Sequence, residues 1–494
     1  MFDAKAKSRA KIKVIIRELT VLTYTRERKA HWDKVFTKNR THRLASHYHH
    51  LLQRCYQFHV PAGLRVLEIG CGNGSLLAAL KPAFGVGLDF SMEAISVARE
   101  RHPGLMFVQA DAHVLPFETS FDVIILSDLI NDLWDVQRVF EALSFYSHNR
   151  TRIIINFHSR LWQIPLAWAE KLGLKNRTLA QNWFTIEDIR NLYGLTDYEL
   201  VKHEREVLLP VGIPGLSWLL NNVLVRFWPF WIMAMTNFLV ARPLKAKYSL
   251  RSERPSVSIV IPARNEAGNI QGIYARLPVI REQSELIFVE GHSRDDTYAA
   301  IQREIEQHPG QKAKMLKQKG VGKADAVWEG FAAANNELLM ILDADLSVQP
   351  EDLSRFYEAA VLNKGEFING TRLVYPMENR AMRFANLLGN KMFSRIFSWL
   401  LGQPIKDTLC GTKVIWRSDY VLLRQQWPAS FDPFGDFDLL LGATKLDLKI
   451  IDIPIRYHER RYGTTNISRW RHGLMLIRIT LAACFKLKFR MGKQ

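Results

Sequence analysis

The run Val66-Leu67-Glu68-Ile69-Gly70-Cys71-Gly72-Asn73-Gly74 passes from aliphatic residues straight into glycines. That order reads as a buried strand, a tight turn and the start of a helix, the opening unit of a nucleotide-binding α/β fold. Glycines in such a turn let the backbone approach a ligand closely. Outward from it, short apolar runs at 65–69, 85–89, 107–109, 121–127 and 152–156 alternate with helical patterns, which predicts a parallel, doubly wound sheet. A second series, 258–261, 285–289, 314–317 and 338–342, follows the charged, proline-containing joint 245–255. The motifs at the two sets of strand ends differ, so the halves are not repeats. The expected fold class is α/β with two different domains.

The composition fits that division. Hydrophobic residues make up 48% of the 494, which excludes wholesale disorder. Cys55, Cys71, Cys410 and Cys484 lie far apart, against a zinc module or a disulfide framework. The net charge of +18 points to an anionic partner: nucleic acid, acidic lipid or a phosphorylated substrate. No helix-turn-helix, RNA-recognition or zinc-finger spacing accompanies the charge, so no nucleic-acid partner is expected.

Residues 1–25 form a basic segment whose apolar run, Val14-Ile15-Ile16, is too short for a signal peptide. Residues 207–225 carry no charge, but Pro210, Gly212, Pro214 and Gly215 break the first half and Pro229 follows. The expectation is an apolar insertion, 207–236, of two short helices in a bilayer interface or over a pocket, rather than a span. The apolar run 474–485, followed by Lys486, Lys488, Arg490 and Lys493, reads as a second interfacial element beside anionic lipid. Together these predict a peripheral protein at the cytoplasmic face of a membrane.

In the first half, the third glycine of a dinucleotide motif is replaced by Ser75. Asp89 ends the next strand, where a carboxylate can hold ribose hydroxyls. Asp111 follows the third strand, placed for an adenine amino group, and Glu68 adds another acid near the turn. Such a ring of carboxylates suits a cationic ligand better than a diphosphate. These residues, with Asp89-Phe90-Ser91 and Asp111-Ala112-His113-x-Leu115-Pro116-Phe117, resemble the class I S-adenosylmethionine-dependent methyltransferases over about 26–244. The resemblance implies a cofactor site of Glu68, Gly70, Gly72, Gly74, Asp89, Asp111, Ala112 and Ser127. His158 is a candidate base, although a packing role is the commoner one for such a histidine.

In the second half, acids or basic residues mark successive strand ends: Ile261-Pro262-Ala263-Arg264-Asn265-Glu266, then Glu290-Gly291-His292-Ser293, then Leu342-Asp343-Ala344-Asp345-Leu346. Two carboxylates at the mouth of a sheet, with substrate phosphates, suit Mg2+ or Mn2+. With Lys319-Gly320-Val321-Gly322-Lys323, Asp407-Thr408-Leu409-Cys410-Gly411-Thr412-Lys413, Gly435-Asp436-Phe437-Asp438 and Arg461-Tyr462-Gly463, the stretch 256–471 resembles the inverting family-two glycosyltransferases of GT-A fold, in the dolichyl-phosphate mannose synthase-like branch. The resemblance implies a nucleotide-sugar site of Pro262, Ala263, Arg264, Glu266, Glu290, Lys323, Asp343, Asp345 and Arg461. It also implies a metal on Asp343 and Asp345, and catalytic roles for Asp345 and Asp436. Glu290-Gly291-His292-Ser293 departs from the usual Asp-Asp-Gly-Ser, which leaves UDP and GDP both open.

The resulting expectation is a bifunctional enzyme with methyl transfer from S-adenosylmethionine and sugar transfer to a lipid-linked phosphate or glycan. The alternative keeps the sugar transfer and makes the first half a noncatalytic binding or docking module. Residues 472–494 complete the chain as a basic amphipathic segment.

Overall fold

The computed structural model describes residues 22–37, 43–173, 175, 177–245, 251–252, 254–278, 280, 284–372, 374, 384–428, 432, 434–458, 462 and 469–490. The chain divides into two compact units, Met1–Leu250 and Arg251–Gln494.

The first unit contains β1 (Arg65–Ile69), β2 (Phe84–Asp89), β3 (Met106–Gln109), β4 (Phe121–Ser127), β5 (Ser147–His158), β6 (Tyr198–Glu206) and β7 (Thr236–Pro243). Their order in the sheet is β3-β2-β1-β4-β5-β7-β6. Alternate residues of a strand face opposite ways, and here each face has its own core. Ile124 and Leu126 of β4 pack with Leu67, Ile69, Ile153 and Ile155 on one side. Val123 and Ile125 pack with Val66, Ile154 and residues of the helix Arg43–His59 on the other. Burial on both faces explains why these strands read as continuous apolar runs.

Strands β1 to β5 pair in parallel, as the strand–helix alternation predicts. Strand β7 is antiparallel to both β5 and β6. Antiparallel neighbours need no crossover helix across the sheet face. Residues 207–235 therefore leave β6 and return to β7 at the same end of the sheet, where Thr236 lies opposite His158 in register.

The second unit contains β8 (Val257–Ala263), β9 (Glu285–Glu290), β10 (Lys312–Lys317), β11 (Leu338–Ile341), β12 (Phe367–Thr371), β13 (Lys413–Trp416) and β14 (Ile450–Pro454). The order is β10-β9-β8-β11-β13-β12-β14, with β13 antiparallel to β11 and β12. Val257, Ile259, Ile261 and Ala263 of β8 share one core with Met340, Ile368 and Val414. In both units the strand order reverses beside the first strand, between β1 and β4 and between β8 and β11. The carboxyl ends of strands at such a reversal form the usual ligand crevice of an open α/β sheet.

No helix among the described residues is long and apolar enough to cross a membrane. The apolar insertion folds as short turns of helix, Leu216–Trp218, Leu219–Val223, Leu224–Arg226 and Phe230–Met233.

Candidate functional site

In the first unit the glycine turn closes on the end of β2. Gly70 N–H and Cys71 N–H both donate to the Leu88 carbonyl, at 2.7 and 3.0 Å. Gly74 has φ +72, and a Cβ there would come within 2.6 Å of the Phe107 ring. Only glycine meets both conditions without strain. Asp89 accepts from Gly72 N–H (2.9 Å) and Ser91 N–H (2.9 Å), so one carboxylate ties the glycine turn to the end of β2. Burial raises its pKa, against the pull of those two backbone donors.

Glu68 stands differently from a ligand-facing acid. It is 2% exposed and accepts from Leu77 N–H at 3.0 Å. Burial, with a smaller contribution from Asp89, pushes its pKa up to about 8. Near neutral pH this group holds its proton, so it supports the turn as a neutral acid. Asp111 behaves in the opposite way: a 2.6 Å contact with His113 Nδ1 leads the effects that hold its carboxyl below the ordinary value. Ala112 is buried beside it, and Ser127 is half-buried at the end of β4.

At this edge Asp33 and Phe36 were not singled out by the sequence, whereas Asp128 directly follows Ser127 at the end of β4. Asp33, on the helical stretch 22–37, lies 2.5 Å from Ser91 Oγ, and Phe36 lies 3.2 Å from where a Gly72 Cβ would be. Asp128 has φ +51 and accepts from Tyr48 Oη (3.0 Å) and Asn156 Nδ2 (2.6 Å). No spacing rule would have found Asp33 and Phe36, because they come from a stretch of chain far from the glycine turn. His158 Nδ1 is buried and has no hydrogen-bond partner among the described residues. Burial lowers its pKa, which favours the neutral ring.

In the second unit Lys323, first residue of the helix Lys323–Ala333, places Nζ 2.6 Å from Asp343 Oδ1. Lys413 Nζ stands 3.1 Å from Asp436 Oδ1, both side chains nearly excluded from water, and also donates to the Cys410 carbonyl. A Cβ at Gly411 would overlap the Asp343 carboxylate and the Lys323 ammonium. Asp345 is largely buried, and its Oδ1 accepts from Ser347 N–H (3.0 Å) and Ser347 Oγ (2.6 Å). The acids of the Asp-x-Asp run are therefore separated by their partners: one faces a lysine, the other a serine. The two supply only oxygen donors, which suits Mg2+ or Mn2+, and substrate phosphates would have to complete the shell. Among the described residues no group of three or more His, Cys, Asp or Glu is arranged to hold a metal ion.

Of the remaining predicted positions, Pro262, Ala263, Arg264, Glu266 and Glu290 lie at the carboxyl ends of β8 and β9 and in the loop after β8. Pro262 is half-buried, Ala263 is buried and accepts from Gly291 N–H at 2.9 Å, and Arg264 is exposed. Glu266 accepts from Asn269 Nδ2 at 2.6 Å, and Glu290 Oε1 accepts from Ser293 N–H at 2.6 Å. Arg461 lies outside the described residues. Asp438, two residues after Asp436 in the same motif, accepts from Trp427 Nε1 at 3.0 Å. Asp432, unnoticed in the sequence, accepts from Phe437 and Asp438 N–H at 2.8 and 3.1 Å and so caps the helix Asp436–Lys445. Its pKa is pushed up to about 6 by burial and then by Asp436. Arg372 and Asp407 form a bidentate pair, at 2.7 and 2.9 Å, behind the Asp407–Gly411 loop.

Each unit is a mixed α/β sheet with polar groups at its reversal point. Family models separate them: residues 61–202 match the methyltransferase domain, and residues 258–420 match glycosyl transferase family 2. The chain thus carries a stretch like methyltransferase domains, followed by a stretch like family 2 glycosyl transferases. Similar curated proteins include the undecaprenyl-phosphate 4-deoxy-4-formamido-L-arabinose transferase of Edwardsiella ictaluri, 28% identical over 226 residues, covering 44% of this chain and 63% of that protein. Glycosyltransferase AglJ of Haloferax volcanii is 26% identical over 224 residues, covering 44% and 68%. The chain thus spans less than two thirds of the length of the first of these relatives. Among solved structures, the putative methyltransferase in complex with the Trm112 activator from Haloferax volcanii is 16% identical, with 43% of this chain and 96% of that one covered, at a TM-score of 0.34. Likeness at that score decides nothing about this chain.

Proposed function

We propose that the chain is a bifunctional transferase. Its first unit moves a methyl group from S-adenosylmethionine. Its second moves a sugar, with inversion, from a UDP- or GDP-sugar to a lipid-linked phosphate or glycan. The observation that carries the second activity is the Lys323–Asp343 and Lys413–Asp436 cluster at the carboxyl edge of β11; Lys323, Asp343 and Lys413 lie within residues 258–420, matched to glycosyl transferase family 2, and Asp436 follows that stretch. The support for the first is the glycine turn bound to Asp89, inside a domain matched to methyltransferases. The cofactor roles of Gly70, Gly72, Gly74, Asp89, Asp111, Ala112 and Ser127 belong to this reading, with Glu68 as a neutral support.

A divalent ion, Mg2+ or Mn2+, held by Asp343, Asp345 and the donor diphosphate would supply positive charge for the leaving group. Lys323 adds a fixed cation at the same place. A phosphate monoester acceptor, with a second pKa near ~6, is already mostly ionised at neutral pH and needs no base. A hydroxyl acceptor does need one, and Asp436 is the candidate, since Asp438 is turned to Trp427.

The acceptor assignment draws on the relatives named for undecaprenyl-phosphate. Peripheral attachment at the cytoplasmic face draws on the C-terminal helix Arg469–Ala483 and the turn after it, where Leu474, Ile477, Leu481 and Phe485 form an exposed stripe. The test is calorimetric titration of UDP- and GDP-sugars with Mn2+, followed by product analysis with undecaprenyl phosphate in vesicles. Saturable donor binding and a glycosyl-lipid product support the reading; absence of binding for both donors removes it. Separately, S-adenosylmethionine titration without any turnover on membrane or soluble acceptors would leave the first unit a docking module.

A further inference from the structure

The apolar insertion of the first unit is built inside out. Asn221, Ser217 and Arg226 turn inward. Asn221 accepts from Leu208 and Leu209 N–H at 2.8 and 2.9 Å and donates to the Leu209 carbonyl at 2.8 Å. Ser217 Oγ accepts from Ile213 N–H and donates to the Val211 carbonyl. Arg226 and Glu206 form a bidentate pair with both side chains buried. Many large apolar side chains turn outward: Ile213, Leu216, Trp218, Phe227, Trp228 and Met233 are all exposed, while Val207, Val225 and Met235 are buried. A buried polar scaffold holding an exposed aromatic surface is the reverse of what stabilises a solvated loop.

The helix Gln163–Lys171 extends this surface. Trp162 Nε1 donates to the Met233 carbonyl at 2.8 Å, joining the two segments, and Ile164, Trp168 and Leu172 are exposed. Exposed cations border it. Arg160, Lys171 and Arg177 are all exposed, with Lys171 Nζ 5.6 Å from the Trp168 ring. Glu170, the one acid of 159–178, is already paired with Lys175. Aromatic and aliphatic side chains rimmed by cations match the interface of an anionic bilayer.

The sheet places this surface beside the reacting end of the cofactor site. On the proposed reading, adenine lies at the end of β3 (Asp111), ribose at β2 (Asp89) and the methionine part at β1 (the glycines). Continuing along the same edge come β4 with Asp128 and β5 with His158. Next is β7, which begins where the insertion ends. Tyr48 Oη, on Asp128, also touches Thr236 Oγ1 at 3.2 Å, and Ser159 N–H donates to the Met235 carbonyl at 2.7 Å.

We propose that this platform docks on an anionic phospholipid bilayer and that the methyl acceptor is an amphiphile held in that bilayer. This rests on the methyltransferase reading above. A lone pair on the acceptor's head group forms the bond to the methyl carbon as the carbon–sulfur bond breaks. The bonding electrons stay on sulfur, S-adenosylhomocysteine leaves, and any acceptor proton passes to water.

The test uses the full chain and vesicles of phosphatidylcholine with phosphatidylglycerol. Ile164, Trp228 and Met233 are 70%, 74% and 64% exposed, so their replacement removes mainly exposed surface and little packing. Ile164→Ser/Trp228→Ser/Met233→Ser is expected to lower vesicle partition about tenfold or more, with S-adenosylmethionine affinity and thermal unfolding unchanged. Trp228→Ser alone, expected to give a smaller drop, serves if the triple variant unfolds early. S-adenosylhomocysteine release should require membrane lipid extract in the vesicles and fall in the variant. Unchanged partition overturns the proposal, as does release that needs only the aqueous extract. Unchanged partition with weakened self-association would make the platform a dimer face instead. Failure of the wild-type chain to bind S-adenosylmethionine would overturn the methyltransferase reading, while the partition result stands apart from it.

Discussion

Lys323 Nζ lies 2.6 Å from Asp343 Oδ1, and Gly411 packs so closely on both that neither tolerates a Cβ between them. Burial pushes the Asp343 carboxyl up. Lys323, by charge and hydrogen bond, then Lys413 and Arg372, outweighs that and holds it below the ordinary range. The pair is therefore an ionised acid beside a fixed cation before any donor arrives.

Gly411→Ala should damage function more than stability. The atoms in the way are ends of flexible side chains, which can move at a cost of about 1 kcal/mol. Moving them breaks the Lys323–Asp343 geometry. The expected outcome is near-normal thermal unfolding with donor turnover down by about tenfold or more. Turnover at the parent level would show that the pair has no part in sugar transfer.

Asp345→Ala is expected to abolish sugar transfer and leave S-adenosylmethionine binding at the first unit unchanged. Product formation and calorimetric titration on the same preparation read both. Equal sugar transfer in the variant would remove Asp345 from the metal and donor site.

Asp89→Asn probes the other pocket. The amide retains one acceptor oxygen where the carboxylate now serves Gly72 N–H and Ser91 N–H. Hydrogen bonds to charged groups contribute about 1.5–3 kcal/mol each, so cofactor affinity should fall by about tenfold or more. Isothermal titration measures it, and unchanged affinity would place the cofactor elsewhere.

Glu68→Gln carries a pH signature. Unfolded, Glu68 ionises near its ordinary 4.5; folded, burial keeps its proton until about 8. Between these values the folded state binds more protons than the unfolded one, so stability falls as pH rises and levels off above about 8. Gln, always neutral, can still accept from Leu77 N–H and escapes that loss. The variant's melting temperature should rise relative to the parent across this window, reflecting on the order of a few kcal/mol at its upper end. A difference that stays constant with pH would mean Glu68 does not titrate there.

The strands that end in a motif were legible because a buried apolar run followed by glycine or acid has few other readings. β1, β2, β4, β8, β9 and β11 are of this kind. β6 (Tyr198–Glu206) was not, because charged residues interrupt it and only pairing with β7 defines it. β12 to β14 were missed as well: none ends in a glycine turn or an acid motif like those of β1 and β11, and their sheet order is not their chain order. Asp343, Asp345 and Asp436 were legible as candidates. Lys413 and Asp432 were not given roles, since their partners lie at the far side of a turn or strand.

The linear chain alone settled that there are two unlike α/β domains, and which strand ends carry glycines and acids, because periodicity and turn chemistry are local properties. Folding settled what each acid is. Glu68 became a neutral buried group, Asp343 an ionised partner of a lysine, and Asp438 an acceptor for Trp427. Such differences depend on desolvation and on charges brought close from distant positions, and neither is written in the order of the residues.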